Sequence, residues 1–159
     1  MLKLLCVFGA VLGFLGVAAG SFGAHGLKDL LEANGHAANW ETAVRYCLFH
    51  AVVLIAIGGL ASGSENTGLT TLFTVAAGCF VIGVMIFSGC LGVLALTDIR
   101  ILGAIVPIGG VLLLIGWATL AVAIFRTYII VRTAIHYRHL QMRVGKFFLA
   151  KYLKILSKN

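Results

Sequence analysis

The residues of this chain best suited to chemistry lie in one stretch, Trp40–His50, directly before an apolar segment. Glu41 and Arg45 are four residues apart, the spacing at which opposite charges can pair along a helix. Tyr46 and His50 have the same spacing, so a tyrosine hydroxyl could reach an imidazole on one helix face. Within a membrane, these groups suit a proton relay or a ligand site.

The length of the following apolar segment places this stretch inside the membrane. From Cys47 to Ala61 a helix covers roughly 22 Å, against a hydrocarbon core of ~30 Å. The span must therefore begin near Thr42. Arg45 then lies about one turn inside the apolar zone and His50 roughly 12 Å deep. Ionisable groups at this depth are costly, so both need partners.

Two interpretations of this polar cluster remain open. In the functional one, Arg45 and His50 face the bundle interior as a relay or a ligand site. In the structural one, which we favour, the cluster is a cross-brace. Arg45 then reaches the headgroups, and His50 bonds to Tyr46, to Ser88 or to a carbonyl freed by Pro107.

Sequence patterns for metal, cofactor or catalytic sites are weak. The spacing of His25, His36 and His50 does not form a helical ligand pair, and no cysteine or carboxylate completes a site. Ser88 lacks a plausible base and orienting group, so it does not predict a nucleophile. We expect no metal, no cofactor and no enzymatic activity.

The composition is that of an integral membrane protein. Of 159 residues, 61% are hydrophobic and 11% charged, and the mean hydropathy is +1.08. Soluble domains carry about 25% charged residues. The four cysteines all fall in apolar segments without a paired motif, so we expect packing residues rather than disulfides.

The apolar runs predict four transmembrane helices in an all-α bundle covering residues 1–125. The spans cover about 4–24, 42–61, 69–96 and 101–125. Ser88-Gly89 could bend the third span, and Pro107 should kink the fourth. The first span carries a stripe of small residues that would let another helix approach closely. Its members, spaced by four and three, are Gly9, Gly13, Gly16, Gly20 and Gly23.

The connections and charges predict an orientation. His25 lies at the expected membrane interface, and Leu27–Ala38 resembles a short amphipathic helix stopped at Asn34-Gly35. Residues 1–125 carry four basic and five acidic residues, whereas residues 126–159 carry eight basic residues and no acid. The positive-inside rule therefore places both termini and the 62–68 loop inside, with Leu27–Ala38 and Thr97–Arg100 outside.

Residues 126–159 predict a basic amphipathic C-terminal helix. This segment could lie on an anionic membrane surface or dock to an acidic partner, or it could continue the fourth span into water. No nucleic-acid motif accompanies the charge, so nucleic acid is not an expected partner. The residues of one basic face are Arg132, His136, His139, Arg143, Lys146 and Lys154.

Several phased motifs resemble a family of small four-span membrane proteins, the domain of unknown function 423, which includes eukaryotic transmembrane protein 256. The matching stretches are Gly20–Leu27, Trp40–Tyr46 with His50, Gly83 with Phe87-Ser88-Gly89, and Gly103 with Pro107–Gly110 and Gly116-Trp117. Cys47 stands where the family pattern has glutamine, and the segment after Phe125 looks like an addition. The resemblance implies an inner-membrane protein in bacteria or a mitochondrial one in eukaryotes, with no established activity.

Two functions of different class follow. The first is a non-catalytic scaffold or accessory subunit that packs against other membrane subunits or lipid, with glycine faces and a basic tail as its contacts. The second is a small proton or solute transporter that uses Arg45 and His50. Four short spans leave little room for a pore, so we favour the first.

Overall fold

The computed structural model describes residues 2–62 and 66–156, and it describes side chains at positions 4–61, 66–139 and 141–142. Throughout these residues the secondary structure is helical, without strands. The helices are α1 Leu2–Ala24, α2 Lys28–Ala33, α3 Ala37–Ser62, α4 Thr67–Thr97 and α5 Ile101–Leu156.

Four of the described helices are long and apolar enough to cross a membrane, which confirms the predicted all-α, four-span class. By length and composition the candidate spans are Leu4–Ala24, Ala37–Ala61, Thr67–Thr97 and Ile101–His139. The chain divides into two compact units, Met1–Ala123 and Ile124–Asn159. The division proposed from the sequence, after residue 125, stays a prediction.

Local signals set the limits of α4. Its N-cap is Asn66, whose Oδ1 accepts a hydrogen bond from the backbone N–H of Leu69 at 3.1 Å. At the other end, Asp98 takes a left-handed conformation with φ 54° and donates its backbone N–H to the carbonyl of Leu94. This conformation ends the helix and turns the chain toward α5.

The predicted stop at Asn34-Gly35 ends α2 with a Schellman motif. Gly35 has φ 69°, a value that favours glycine, and its N–H donates to the carbonyl of Glu32. The N–H of His36 donates to the carbonyl of Leu31. Because both bonds fix the backbone after α2, they also fix the position from which the His36 side chain extends.

All five glycines of the α1 stripe face α3. A Cβ atom built on Gly9 would lie 2.7 Å from the carbonyl oxygen of Ala51, and one on Gly16 would lie 2.7 Å from Leu48. At Gly13 and Gly20 the added atom would make ordinary contact with α3, and at Gly23 it would collide with the indole of Trp40. The stripe is therefore used in packing within the chain.

A second close approach joins α4 to the part of α5 within the first unit. A Cβ atom on Gly109 would lie 2.6 Å from the backbone nitrogen of Phe87 and 2.9 Å from the carbonyl oxygen of Gly83. About two turns on, a Cβ atom on Gly116 would lie 2.7 Å from the ring of Phe80. The two backbones approach closely here because neither helix carries a side chain at the crossing.

The main core lies among α3, α4 and α5. Phe73 and Phe80 of α4 and Leu54 and Ile57 of α3 are among its fully buried side chains, and Leu113 closes it from α5. Ser88 and Gly89 lie within an uninterrupted α4, and α5 continues through Pro107. The bend predicted at Ser88-Gly89 and the kink predicted at Pro107 stay predictions.

The C-terminal region also differs from the expected separate helix. Residues 126–156 belong to α5, which has no break between the fourth span and the tail. A helix is therefore present, but a distinct basic amphipathic helix stays a prediction. The side chains of Arg143, Lys146 and Lys154 lie outside those that the structure describes.

Candidate functional site

His50 is the one buried charged or polar residue of the described core, with 4% of its surface exposed. Its Nδ1 donates a hydrogen bond of 2.8 Å to the backbone carbonyl of Tyr46, one turn earlier. This bond selects the Nδ1–H tautomer and leaves Nε2 as an acceptor. Nε2 is buried and has no partner among the described residues.

Aromatic rings surround the imidazole of His50. The ring centroid of Phe80 lies 5.2 Å away, that of Tyr46 5.9 Å away and that of Trp117 6.1 Å away. Three helices contribute these rings, so His50 lies where α3, α4 and α5 meet. An imidazole with a free acceptor nitrogen in this setting could bind one hydrogen-bond donor.

The structure rearranges the predicted partners of this cluster. Tyr46 contributes its carbonyl, not its hydroxyl, to His50, and its ring stacks on Phe87 with centroids 4.4 Å apart. Glu41 and Arg45 are both exposed, and the described residues contain no ion pair between them. The i, i+4 spacing permits such a pair but does not hold two exposed side chains together.

Ser88 lies in a different place from His50. Its Oγ is buried and has no partner among the described residues, so the expected bond to His50 is absent there. Ser88 lines an open groove of about 240 Å³, named here the Ser88 groove. Its lining residues come from α1 (Leu12, Leu15, Gly16, Ala19), α3 (Trp40, Ala43, Val44, Cys47) and α4 (Val84, Met85, Ser88, Gly89, Gly92).

Trp40 and two cysteines tie α1 to α3 beside this groove. The Trp40 Nε1–H donates to the carbonyl of Ala19 at 3.1 Å. The Cys47 thiol donates to the carbonyl of Leu12 at 3.4 Å, and the Cys6 thiol faces the carbonyl of Ile55 at 3.7 Å. All four cysteines are free. Trp40 therefore braces α1 against α3.

A polar cluster that the sequence analysis missed joins the α2–α3 connection to the end of α4. The His36 Nε2–H donates to Asp98 Oδ1 at 2.8 Å, and Asn39 Nδ2 donates to His36 Nδ1 at 3.1 Å. Asn34 Nδ2 donates to the carbonyls of Ala95 and Leu96, at 3.0 and 3.3 Å. The last carbonyls of α4 therefore find a donor from another element.

Electrostatics favour the charged form of Asp98. The hydrogen bond from His36 lowers the pKa of this carboxyl below its ordinary value of 3.8, and Arg100, with its Nε 3.8 Å away, adds to the effect. The sequence contained one indication that Asp98 and His36 could meet, because both lie in segments predicted to face the same side of the membrane.

The remaining predicted site residues are exposed or undescribed. His25 lies in the turn after α1 with an exposed side chain. Arg132, His136 and His139 are exposed and border one shallow depression on the second unit. No group of three or more histidine, cysteine, aspartate or glutamate residues suited to a metal occurs among the described residues.

Comparisons with known proteins place most of the first unit in a recognised group. Residues 19–110 match the family model described as "Protein of unknown function (DUF423)". The chain is 39% identical over 125 residues to a UPF0382 membrane protein of Staphylococcus saprophyticus, covering 79% of this chain and 99% of that protein. It is 37% identical over 122 residues to the UPF0382 membrane protein YwdK of Bacillus subtilis, covering 77% and 96%. No solved structure matches this chain.

Proposed function

Since the chain belongs to the DUF423 family, whose relatives above are named membrane proteins, we propose that it is a non-catalytic scaffold or accessory subunit of a membrane. In this role it packs against other membrane-protein subunits or lipid and does not bind nucleic acid. It carries out no reaction of its own and needs no cofactor.

The observation that carries this proposal is the Ser88 groove. Three helices form it, and its walls are mainly apolar, since the Trp40 indole N–H and the Cys47 thiol donate to carbonyls of α1 and the Ser88 hydroxyl is buried. Several lining residues, including Leu15 and Met85, are exposed at the surface of the first unit. Within a bilayer, an apolar groove with small residues along it suits close van der Waals packing of an apolar partner.

The glycine faces, which the sequence suggested as contacts for a partner, pack within the chain instead. The α1 stripe contacts α3, and Gly109 and Gly116 contact α4, so these faces are occupied inside the chain. The groove, rather than the stripe, is the surface left for a partner.

We propose the plasma (inner) membrane of a bacterium as the location, with both termini inside, and the mitochondrial inner membrane as the alternative. The charge distribution supports this orientation, since the C-terminal segment carries eight basic residues and no acid. Reporters fused to each terminus, active on one side of the membrane only, would test it.

Photo-crosslinking from the groove tests the proposed function. A photoreactive phenylalanine replaces Met85, which lines the groove, or Ile82, which lies on the same helix, is similarly exposed and does not line it. In cells, Met85 should give crosslinks to discrete membrane proteins, and Ile82 should give few. Equal labelling from both positions, or no protein crosslink from Met85, would contradict a partner in this groove.

Transport is the second candidate, and one observation favours it. The buried Nε2 of His50 has no partner among the described residues and could accept a hydrogen bond from a passing solute or water. Arg45, the other residue of that hypothesis, is exposed. Reconstituted flux that His50→Ala abolishes, with insertion unchanged, would favour transport over the accessory role.

A further inference from the structure

We propose that a second groove, beside Arg45, binds the headgroup of a zwitterionic aminophospholipid, with the phosphate at Arg45 and the primary ammonium at Glu41. This inference rests on the proposed role in binding membrane lipid and narrows it to one site and one headgroup class. The occupant is a phospholipid of the ethanolamine type.

The groove has the position and walls of a lipid site. It has a volume of about 440 Å³ and lies where α1, α2 and α3 come together. Gly20 and Gly23 line it on α1, and Leu31 of α2, 3% exposed, also lines it. Arg45 is eight residues into α3, roughly 12 Å from its first residue. The apolar length of the following segment places Arg45 about one turn inside the apolar zone, from which its long side chain can reach the headgroups.

Two opposite charges on this groove are left without partners in the chain. Glu41 and Arg45 both line it, both are exposed, and neither forms an ion pair with a described residue. Lys28 and Glu32 of α2 have the same i, i+4 spacing and do pair, at 4.0 Å. A cation and an anion that face one groove without pairing favour a ligand that carries both charges.

The chemistry of the two side chains selects the headgroup. A guanidinium binds phosphate oxygens through paired N–H donors, and a carboxylate accepts hydrogen bonds from an ammonium group. Side chains at i and i+4 start about 5–6 Å apart, close to the separation of the two charges in phosphoethanolamine. A choline headgroup offers Glu41 no N–H donor, and an anionic headgroup places negative charge beside Glu41.

The remaining walls can hold the rest of the lipid. On α3, Val44 lies between the two charges and faces Gly20 of α1, and Leu48 continues the groove one turn farther along the helix. An acyl chain that runs along these side chains would gain dispersion contacts with them. The site therefore combines two charges with apolar side chains, as an amphipathic ligand requires.

Lipid binding to the purified full chain in detergent tests the proposal. Phosphatidylethanolamine, phosphatidylcholine and phosphatidylglycerol are added singly, and the lipid that stays bound is measured by native mass spectrometry. We expect phosphatidylethanolamine to bind about tenfold more tightly than phosphatidylcholine. Arg45→Gln and Glu41→Gln should each lower its affinity by about tenfold, whereas the matched double variant Lys28→Gln/Glu32→Gln should not.

Several results would overturn the inference. One is equal binding of phosphatidylethanolamine and phosphatidylcholine. Another is a preference for phosphatidylglycerol that persists in Glu41→Gln. A third is a loss of phosphatidylethanolamine affinity in the Lys28→Gln/Glu32→Gln variant as large as the loss in Arg45→Gln or Glu41→Gln. If Arg45→Gln does not insert, Arg45→Lys keeps the charge but loses the paired donors, and it should still weaken binding. Crosslinking from Met85 reports only on the partner in the Ser88 groove, whereas lipid binding reports only on the groove beside Arg45. The proposed function and the lipid site can therefore fail independently.

Discussion

His50 illustrates at the residue scale how this chain accommodates a polar group in an apolar interior. Its Nδ1–H bonds to the carbonyl of Tyr46, which has a second lone pair beyond its helical bond. Aromatic rings from three helices enclose the rest of the imidazole, with Nε2 left unpartnered among the described residues. The residue therefore acts first as a packing element and offers one acceptor for further use.

Replacing His50 with alanine should destabilise the bundle, because it removes a buried ring against Phe80 and Trp117. We expect the free energy of unfolding to fall by about 1–3 kcal/mol in bicelles, measured by reversible denaturation. His25→Ala, at an exposed position, should change it by less than ~0.5 kcal/mol. Equal effects of the two variants would show that His50 is not a core residue.

Asp98 should make stability depend on acid pH. Its folded pKa is lowered, chiefly by the hydrogen bond from His36, so its contribution is complete above the ordinary value of 3.8 and is lost as the pH falls through the lower folded value. Unfolding free energy should therefore decline more steeply below pH 3.8 in the wild type than in Asp98→Asn. Asp29→Asn, an exposed acid of α2 without an ion pair among the described residues, is the control and should keep the wild-type slope.

At the scale of elements, glycines determine how closely the helices pack. The α1 stripe lies on α3, and Gly83 and Gly109 bring α4 and α5 into backbone contact. Beside these crossings, hydrogen bonds from Asn34 and His36 fasten the α2–α3 connection to the end of α4. Close packing and terminal hydrogen bonds together position both grooves.

Neighbouring glycines of α5 provide a matched test of this packing. A Cβ atom at Gly109 would meet backbone atoms of α4 at 2.6–3.0 Å, whereas one at Gly110 would make ordinary contact with Phe87 at 3.8 Å. Gly109→Ala should therefore cost about 1–3 kcal/mol through overpacking. Gly110→Ala should be neutral or slightly stabilising, because alanine favours the helix. Unfolding in SDS titrations would distinguish them, and equal effects would contradict the close crossing.

Much of this architecture could be predicted from local pattern. The four spans follow from apolar length, and the glycine phase of α1 follows from helical period, so both needed only neighbouring residues. The His36–Asp98 bond joins residues 62 positions apart, which local pattern cannot pair. The Glu41–Arg45 spacing permitted an ion pair but could not fix two exposed side chains, and the Ser88 groove depends on three helices at once.

At the scale of the whole molecule, the chain combines a family bundle with additional sequence. The Staphylococcus saprophyticus relative is covered over 99% of its length, yet the match includes 79% of this chain, so about a fifth of this chain has no counterpart there. The described chain forms two compact units, of which Met1–Ala123 holds both grooves. The second unit is basic and exposed where its side chains are described.

Deleting residues 127–159 should leave the bundle inserted, because the first three candidate spans are untouched and the part of the fourth that remains, residues 101–126, still exceeds the ~20 residues that a span needs. Carbonate extraction of membranes and protease protection would measure insertion of the truncated chain. We expect the same membrane fraction and the same protected fragments as for the full chain. A truncated protein that is degraded or extracted by carbonate would show that the tail is required for folding.

We propose that this protein works by holding a membrane partner. Purification from native-level expression in mild detergent, with mass measurement and identification of bound proteins, is the decisive experiment. We predict a complex larger than the single chain, and Gly89→Leu, which projects a side chain into the open space of the Ser88 groove, should release the partner. Gly78→Leu, on the same helix and equally open but outside the groove, should retain it. A partner-free protein that sustains solute flux through His50 would contradict the account.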